Sequence, residues 1–202
     1  MDSNDVDLIE KQVAFSGYFR IDRFRLRFPL YEGGISREVT REVLERGQVA
    51  AVLLVDPDRD AVVLIEQFRP GPYAAGEQPW LIETVAGVIE GTEGAAEMAT
   101  REAREEANCE ITDLLPVMRF FTSPGASTES VTLFCGRVDS SNAGGVHGLE
   151  EEGEDIRVMV VSVDEALSLL ADGKIVNAKT IIALQWLAGN YNDVKKRWLA
   201  AS

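Results

Sequence analysis

The sequence predicts a protein of the α+β class, in which helices cover a central β-sheet or enclose it as an α/β/α sandwich. Segments with strand-like patterns dominate the middle of the chain, and their order is strands, helix, strands, helices. The 202 residues are enough for one domain with an additional arm. Apolar residues make up 46% of the chain and charged residues 27%, as is usual for a globular protein that buries a core.

The first segment predicts a β arm. Apolar side chains alternate with arginines across residues 23–28, a pattern typical of a half-buried strand. A turn at Gly33 and Gly34 leads to a second alternating run at residues 36–45. We therefore expect an N-terminal arm at residues 1–47, followed by the main domain at residues 48–202.

An apolar hairpin opens the main domain. Two apolar runs, at 50–55 and 61–67, are joined by the acidic segment Asp-Pro-Asp-Arg-Asp. That segment resembles the start of a calcium-binding loop. However, Ala61 and Gln67 stand where such a loop needs glycine and glutamate. We therefore interpret it as a turn.

The remaining elements follow from local patterns. A strand at 80–86 leads into a glycine turn and a helix. Ser162 and Glu165 form a capping box, which predicts that a helix begins there. Further strands are predicted at 116–121, 131–138 and 156–161, and further helices at 162–171 and 177–188.

An acidic helix lies between Gly87 and Cys109. At about 100° per residue, four alanines form one stripe. These are Ala96, Ala99, Ala103 and Ala107. Glu102 and Glu106 are neighbours at the edge of this stripe, where two like charges are costly unless a cation lies between them. Mg²⁺ suits such a pair of carboxylates. The alternative is a solvated acidic helix, which most runs of charge are.

The other charges of this helix lie elsewhere on its surface. Those roughly opposite the alanine stripe are Glu93, Glu97, Arg101 and Arg104. We expect Glu93 and Arg101 to form a structural ion pair, and Glu105 points further round the helix. Asn108 is expected to end the helix in a left-handed conformation, which asparagine tolerates nearly as well as glycine does.

Composition excludes several classes of function. The net charge of −14 argues against nucleic-acid binding. The sequence contains no run of 18 apolar residues, so it predicts no membrane-spanning helix. The acidic N-terminus does not resemble a secretory signal. Cys109 and Cys135 lie in apolar contexts, which favours free thiols in a cytoplasmic protein.

A second acidic cluster occupies the glycine-rich loop at residues 144–155. Its acidic residues are Glu150, Glu151, Glu152, Glu154 and Asp155. Such clusters are usually solvated, yet loops also carry mobile catalytic groups. Composition alone does not select one of these residues as a general base, and we assign no role to His147.

The stretch from Gly87 to Cys109 resembles the Nudix box, the signature of enzymes that hydrolyse nucleoside diphosphates linked to another group. The matching positions are Gly87, Glu93, Arg101, Glu102, Glu105 and Glu106. Such a match arises by chance roughly once in 10⁷ starting positions. Asn108 stands where the family usually has glycine. The resemblance implies an α/β/α sandwich fold with a mixed central sheet.

Further segments resemble the ADP-ribose pyrophosphatase branch of this family. Pro124 lies 15 residues after Cys109, as in that branch. The segments 41–47, 66–69 and 154–158 also look similar, so that the resemblance covers about residues 17–198. It implies hydrolysis of ADP-ribose to AMP and ribose 5-phosphate. The alternatives are another nucleoside diphosphate sugar as substrate, or a non-catalytic regulator that binds ADP-ribose.

The resemblance also implies roles for individual residues. Two or three Mg²⁺ ions, for which Mn²⁺ would substitute, would be held by the Ala86 carbonyl, Glu102, Glu106 and Glu154. Glu152 would be the general base with Glu154 as the alternative, and Glu105 is the other catalytic candidate. The implied substrate contacts are Tyr18, Phe19, Arg41, Glu42, Arg46, Arg69, Val88, Ser123, Pro124, Gly125 and Glu129.

Within this set, Tyr18 and Phe19 would stack on the adenine, and the arm would be exchanged in a homodimer. The two aromatic residues are also typical of core or interface packing, and Arg46 and Arg69 are also typical of surface ion pairs.

Overall fold

The computed structural model describes residues 2–149 and 153–200. The chain forms two compact units. The first comprises the residues up to 48 together with 121–130, and the second comprises residues 49–120 together with those from 131 onward. Each unit has its own sheet and is described by itself.

The first unit contains a three-stranded antiparallel sheet in the order β1-β2-β3. Its strands are β1 (Asp7–Ser16), β2 (Arg20–Arg27) and β3 (Val39–Glu45). The predicted strands β2 and β3 are confirmed. Strand β1 was not predicted, because all ten of its residues are exposed and its sequence lacks a regular apolar alternation.

The second unit contains an eight-stranded sheet. Its strands are β4 (Gln48–Asp56), β5 (Ala61–Phe68), β6 (Trp80–Glu83), β7 (Val85–Val88), β8 (Asp113–Phe121), β9 (Ser130–Arg137), β10 (Gly145–His147) and β11 (Ile156–Ser162). Its helices are α1 (Pro70–Ala74), α2 (Ala95–Ala107), α3 (Val163–Ala171) and α4 (Ala178–Leu199). The strand order is β10-β11-β5-β4-β9-β8, with β6 beside β5 and β7 beside β4.

Strand β4 lies at the centre of three layers. Its residues Ala50, Val52 and Leu54 face a core that contains the buried residues of α2. The residues between them, such as Ala51 and Leu53, face a second core that contains α3 and α4. Because successive side chains of a strand point to opposite faces, both faces of β4 are buried. This arrangement confirms the α+β class and the α/β/α sandwich with its N-terminal β arm.

The hairpin of β4 and β5 is confirmed, and its acidic connection is a turn. The buried carboxylate of Asp56 accepts the backbone N–H groups of Asp58 (3.0 Å), Arg59 (3.1 Å) and Ser140 (2.9 Å). Burial raises the pKa of Asp56, but the hydrogen bonds from Ser140 and Arg59 outweigh burial and hold the pKa below its ordinary value.

Two predicted boundaries are wrong. The single strand predicted at 80–86 is two strands, because the N–H of Thr84 donates to the hydroxyl of Thr180 (2.9 Å) instead of to a ladder. Helix α4 does not end at residue 188 but continues through Gly189, because Val194 and Trp198 are buried in the core. The start of α3 is as predicted, since the Ser162 hydroxyl accepts the N–H of Glu165 (3.1 Å).

Both cysteines are buried and free. Burial raises the pKa of the Cys109 thiol to about 11 and that of Cys135 to about 12. These thiols are therefore protonated and unreactive near neutral pH. Among the described residues, every helix is too short or too polar to cross a lipid bilayer.

Candidate active site

Helix α2 is held close to strand β7 by a glycine. A Cβ atom added to Gly87 would lie 2.4 Å from Oε1 of Glu102, so only glycine leaves room for this carboxylate. At the start of α2, the Glu97 carboxylate accepts the N–H of Gly94 at 2.9 Å. At its end, Asn108 has φ of 51°, the left-handed conformation expected from the sequence.

The buried face of α2 differs from the predicted alanine stripe. Ala99, Ala103 and Ala107 are buried, but Ala96 is exposed, and Met98 is buried instead. The buried arc is therefore rotated toward Glu106, which is itself only 3% exposed. Glu106 lies within the packed face of the helix rather than at the edge of the stripe.

Burial sets the protonation of Glu106. Removal from water is the largest cause that raises its pKa, the charges of Glu102 and Glu154 add to it, and the net pKa is about 8. The N–H of Ala86 donates to Oε2 of Glu106 at 3.3 Å, and this bond and the charge of Arg69 act in the opposite direction. Without a compensating cation, Glu106 is mostly protonated at neutral pH.

The Glu102 carboxylate is also poorly solvated, with 14% of its side chain exposed. Burial raises its pKa, and the adjacent Arg101 guanidinium, 2.9 Å from Oε1, opposes that effect. Glu105 and Glu154 raise it through their charges. Glu102, Glu106 and Glu154 therefore act on one another electrostatically.

Arg101 organises the other acidic side chains of α2. It donates to both carboxylate oxygens of Glu93, at 3.1 and 3.3 Å, which is the expected structural pair. It also donates to Glu105 at 2.7 Å. Glu105 is thus engaged by an arginine, whereas Glu106 points into the packed side of the helix.

The acidic loop contributes Glu154. Its Oε2 accepts the N–H of Leu149 at 3.0 Å, which fixes the side chain beside the backbone of Leu149. The nearby Gly148 has φ of 104°, and a Cβ atom there would lie 2.6 Å from the Cβ of Glu154. Glu152, the predicted general base, lies outside the described residues.

The donor set fits a hard divalent cation. Across residues 2–149 and 153–200, no three His, Cys, Asp or Glu side chains are grouped closely enough to hold a metal ion by themselves. However, three carboxylates act on one another's charge here, two of them poorly solvated, and such a concentration of like charge is relieved by a cation that prefers oxygen ligands.

Arg69 supplies positive charge beside these carboxylates. Its Nε and Nη2 donate to the same oxygen of Glu83, at 2.9 and 2.7 Å. The charges of Glu83, Glu106 and Glu154 raise the pKa of Arg69 against the effect of burial. Val88, the other predicted contact in this unit, is half-buried in β7 and pairs with Val49 of β4.

In the first unit, an aromatic and charged cluster forms at the end of the arm sheet. Tyr18 is 91% exposed, and its ring meets the edge of Phe19 at a centroid distance of 4.9 Å. The Arg46 guanidinium lies 5.5 Å from the Phe19 ring, and its Nε lies 3.7 Å from Glu129. The structure thus brings Phe19, Arg46 and Glu129 together.

The loop that carries Ser123, Pro124 and Gly125 is attached to β3. The N–H of Leu44 donates to the Ala126 carbonyl at 2.8 Å. The hydroxyl of Thr128, near the end of the same loop, accepts the N–H of Arg46 at 3.0 Å and donates to Glu45 at 2.8 Å. Ser123, Pro124 and Gly125 are exposed, and the Ser123 carbonyl closes their turn.

Arg41 and Glu42 are successive residues of β3 and therefore point to opposite faces of the arm sheet. Glu42 accepts two hydrogen bonds from Arg23, at 3.1 and 2.7 Å, and Arg41 donates to the Thr40 carbonyl at 2.8 Å. Their common role at one site stays a prediction.

Sequence reasoning missed two residues beside Arg69. Glu83 was included in a predicted strand, and Asn177 was interpreted only as a helix start. The available signal was a glutamate inside the apolar run of residues 80–86, since a buried carboxylate requires partners. Asn177 provides one of them, at 2.6 Å.

The family follows from a direct comparison. A model of the NUDIX domain matches residues 45–184, which include α2, Arg69 and Glu154. The chain belongs to the Nudix family. Its relatives include the ADP-ribose pyrophosphatase of Escherichia coli (strain K12), which is 46% identical over 195 residues, 96% of this chain and 93% of the relative.

Two further relatives extend this comparison of the Nudix chain. The ADP-ribose pyrophosphatase of Haemophilus influenzae is 40% identical over 96% of this chain and 91% of its own length. The GDP-mannose pyrophosphatase of Citrobacter koseri is 33% identical over 92% of this chain and 96% of its own. A solved structure described as an ADP compounds hydrolase matches with a TM-score of 0.69 over 92% of this chain and 96% of that one. At 19% identity, that likeness shows the Nudix fold alone.

Proposed function

We propose that this Nudix protein hydrolyses the pyrophosphate of ADP-ribose to AMP and ribose 5-phosphate, with Mg²⁺ as cofactor. The observation that carries the proposal is the poorly solvated pair Glu102 and Glu106, packed against Ala86 and Gly87 of β7. Relatives named for ADP-ribose reach 46% and 40% identity over more than nine-tenths of both chains, whereas the GDP-mannose relative reaches 33%.

Different residues would bind the metal, bind the pyrophosphate and accept the proton. Glu102, Glu106, Glu154 and the Ala86 carbonyl would hold Mg²⁺, two or three ions in all, with Mn²⁺ as a substitute. Bound Mg²⁺ neutralises phosphate charge and lowers the pKa of water. Arg69 adds positive charge for the pyrophosphate, and a loop glutamate, Glu152 or alternatively Glu154, accepts the proton from the attacking water.

The arm would supply recognition of the nucleoside. In the first unit, Tyr18 and Phe19 present aromatic faces suited to a base, and Arg46 lies beside Phe19 and pairs with Glu129. Arg41, Glu42 and the loop of Ser123, Pro124 and Gly125 would contact the remainder of the substrate. These roles rest on the match to the ADP-ribose relatives over 96% of the chain.

A substrate panel tests the proposed function. The wild-type protein is incubated with Mg²⁺ and, separately, ADP-ribose, GDP-mannose and ADP-glucose, and the products are separated by HPLC. We expect the highest kcat/KM for ADP-ribose, with AMP and ribose 5-phosphate as products and no reaction in EDTA. A higher kcat/KM for another nucleoside diphosphate sugar would show that this sugar, and not ADP-ribose, is the preferred substrate. Binding of ADP-ribose without hydrolysis would favour a non-catalytic regulator.

Gly87→Ala tests the close approach of α2 to β7. The added methyl group would displace the Glu102 carboxylate, the flexible end of a side chain, and leave the fold intact. We expect the Mg²⁺ concentration for half-maximal activity to rise at least about tenfold. Gly189→Ala is the matched control, because no atom lies within 4 Å of a Cβ added at Gly189. An unchanged Mg²⁺ requirement in Gly87→Ala would contradict the placement of Glu102.

Glu152→Gln tests the general base. We expect turnover to fall about 100-fold while the Mg²⁺ requirement changes little, because a base contributes to proton transfer rather than to metal binding. Glu151→Gln, one residue away in the same loop, is the control and should keep normal turnover. Near-normal turnover in Glu152→Gln would exclude Glu152 as the general base and favour Glu154.

We also propose a cytoplasmic homodimer with exchanged arms, without a nucleic-acid or membrane partner. The two free thiols support the reducing compartment. Apolar side chains of β1 support association, because Leu8, Val13 and Phe15 are each more than half exposed. Light scattering should give twice the chain mass of 22.2 kDa. A monomer at micromolar concentration would contradict the dimer.

A further inference from the structure

Glu83, in strand β6, is a buried carboxylate that three side chains satisfy. It is 1% exposed. Arg69 donates to its Oε2 through Nε at 2.9 Å and Nη2 at 2.7 Å, and Gln67 approaches the same oxygen at 3.4 Å. Asn177 donates to Oε1 through Nδ2 at 2.6 Å. Both oxygens of Glu83 are therefore occupied, and its negative charge is matched by Arg69.

The Asn177 side chain both accepts and donates a hydrogen bond. Its Oδ1 accepts the N–H of Thr180 at 3.2 Å and so caps the start of α4, while its Nδ2 holds Glu83. The Thr180 hydroxyl in turn accepts the N–H of Thr84 at 2.9 Å. A continuous chain of hydrogen bonds therefore links the first turn of α4 to Arg69 through Glu83.

This chain fixes the orientation of the Arg69 guanidinium. A guanidinium is planar, so two bonds from Nε and Nη2 to one carboxylate oxygen keep that oxygen close to the guanidinium plane and restrict its rotation. About a third of the Arg69 side chain, 36%, stays exposed. Rotation of Glu83 would turn Arg69 with it, and Asn177 restrains Glu83.

We propose that Glu83 and Asn177 are positioning residues that preorganise Arg69 for binding of the substrate pyrophosphate. This inference rests on the proposed function, in which Arg69 contacts phosphate. The cap residue of α4, 94 positions after Glu83, thereby sets the geometry of a substrate-binding arginine. Preorganisation of this kind lowers the cost of binding without a contact between the positioning residue and the substrate.

The chemistry of the cap provides a selective variant. Serine caps helices about as well as asparagine, but its short hydroxyl does not replace the Nδ2 donor to Glu83. In Asn177→Ser the helix therefore keeps its cap and Glu83 loses one hydrogen bond. We expect KM for ADP-ribose to rise about tenfold, as for a lost hydrogen bond to a charged group, with kcat changed less than threefold.

A double-mutant cycle separates positioning from structural damage. In an Arg69→Lys background, Asn177→Ser should raise KM less than twofold, because lysine lacks the planar fork that Glu83 orients. Loss of folded protein would instead lower apparent kcat and leave KM unchanged. The control Ser162→Ala removes the cap of α3 and should leave both constants unchanged well below its melting temperature. An unchanged KM in Asn177→Ser, or an equal rise in the Arg69→Lys background, would overturn the proposal.

A second measurement needs no activity. In ¹⁵N-labelled protein without substrate, the Nε–H signal of Arg69, assigned by its disappearance in Arg69→Lys, should exchange slowly with water. In Asn177→Ser it should exchange at least about tenfold faster. An unchanged exchange rate would overturn the proposal even if the wild type proved inactive. Inactivity of the wild type toward ADP-ribose would overturn the proposed function alone.

Discussion

Glu106→Gln is expected to lower the turnover of ADP-ribose by about 1,000-fold or more, whereas Glu105→Gln should lower it less than about tenfold. Glu106 is buried beside Ala86 and Glu102, and in the proposed function its charge would hold a cation. Loss of a 1,000-fold factor corresponds to about 4 kcal/mol of transition-state stabilisation. Glu105 instead pairs with Arg101, and 32% of its side chain is exposed, so its loss costs little.

The two variants are a matched pair, because each replaces one glutamate of the same helix by its isosteric amide. Turnover is measured by AMP release at saturating ADP-ribose and Mg²⁺, with circular dichroism to confirm folding. Glu102→Gln should resemble Glu106→Gln. Equal inactivation by Glu105→Gln and Glu106→Gln would show that the assignment of the helix faces is wrong.

Glu106→Gln is also expected to stabilise the metal-free protein at alkaline pH. The pKa of Glu106 is raised from its ordinary 4.5 to about 8, so between these values the folded state binds more protons than the unfolded state. The free energy of unfolding therefore falls as pH rises through this window, by up to about 1.4 kcal/mol per pH unit. The amide has no such cost, and the variant should be more stable than the wild type at pH 8 by on the order of 4 kcal/mol.

Urea unfolding in EDTA at several pH values between 4.5 and 8.5 measures this effect. The difference between Glu106→Gln and wild type should grow with pH over that range, whereas Glu105→Gln should follow the wild type. A difference that is constant with pH would show that Glu106 is charged in the metal-free protein. Because Glu102 also has a raised pKa, some decline with pH should persist in Glu106→Gln.

The local features of α2 could be predicted from the sequence because they depend on short-range geometry. The spacing of Glu93 and Arg101 predicted their ion pair. The position of Asn108 at the end of the helix predicted its left-handed conformation. The predicted burial of Ala96 was wrong, because helical periodicity does not show where the covering sheet ends. Rotation of the buried arc toward Glu106 depends on β7, which is far away in the sequence.

Long-range contacts account for the other failures. Helix α4 passes Gly189 because the core buries Val194 and Trp198, and this packing outweighs the helix-breaking tendency of one glycine. The hydrogen bond between Glu83 and Asn177 joins residues 94 positions apart, and no local sequence pattern predicts it. Strand β1 pairs with β2, yet its own residues are all exposed, so burial left no periodic signature in its sequence.

The buried carboxylates of α2 are proposed to hold the catalytic cation, and calorimetry detects this binding through the protons that it releases. Mg²⁺ binding to the wild type is measured in buffers of different ionisation enthalpy, which gives the number of protons released. With a pKa of about 8, Glu106 should release roughly 0.9 proton per site at pH 7 and roughly 0.1 at pH 9, apart from a smaller release by Glu102. Glu106→Gln should lose most of the release at pH 7. Mg²⁺ binding without proton release at pH 7, or a release that persists undiminished in Glu106→Gln, would contradict the account.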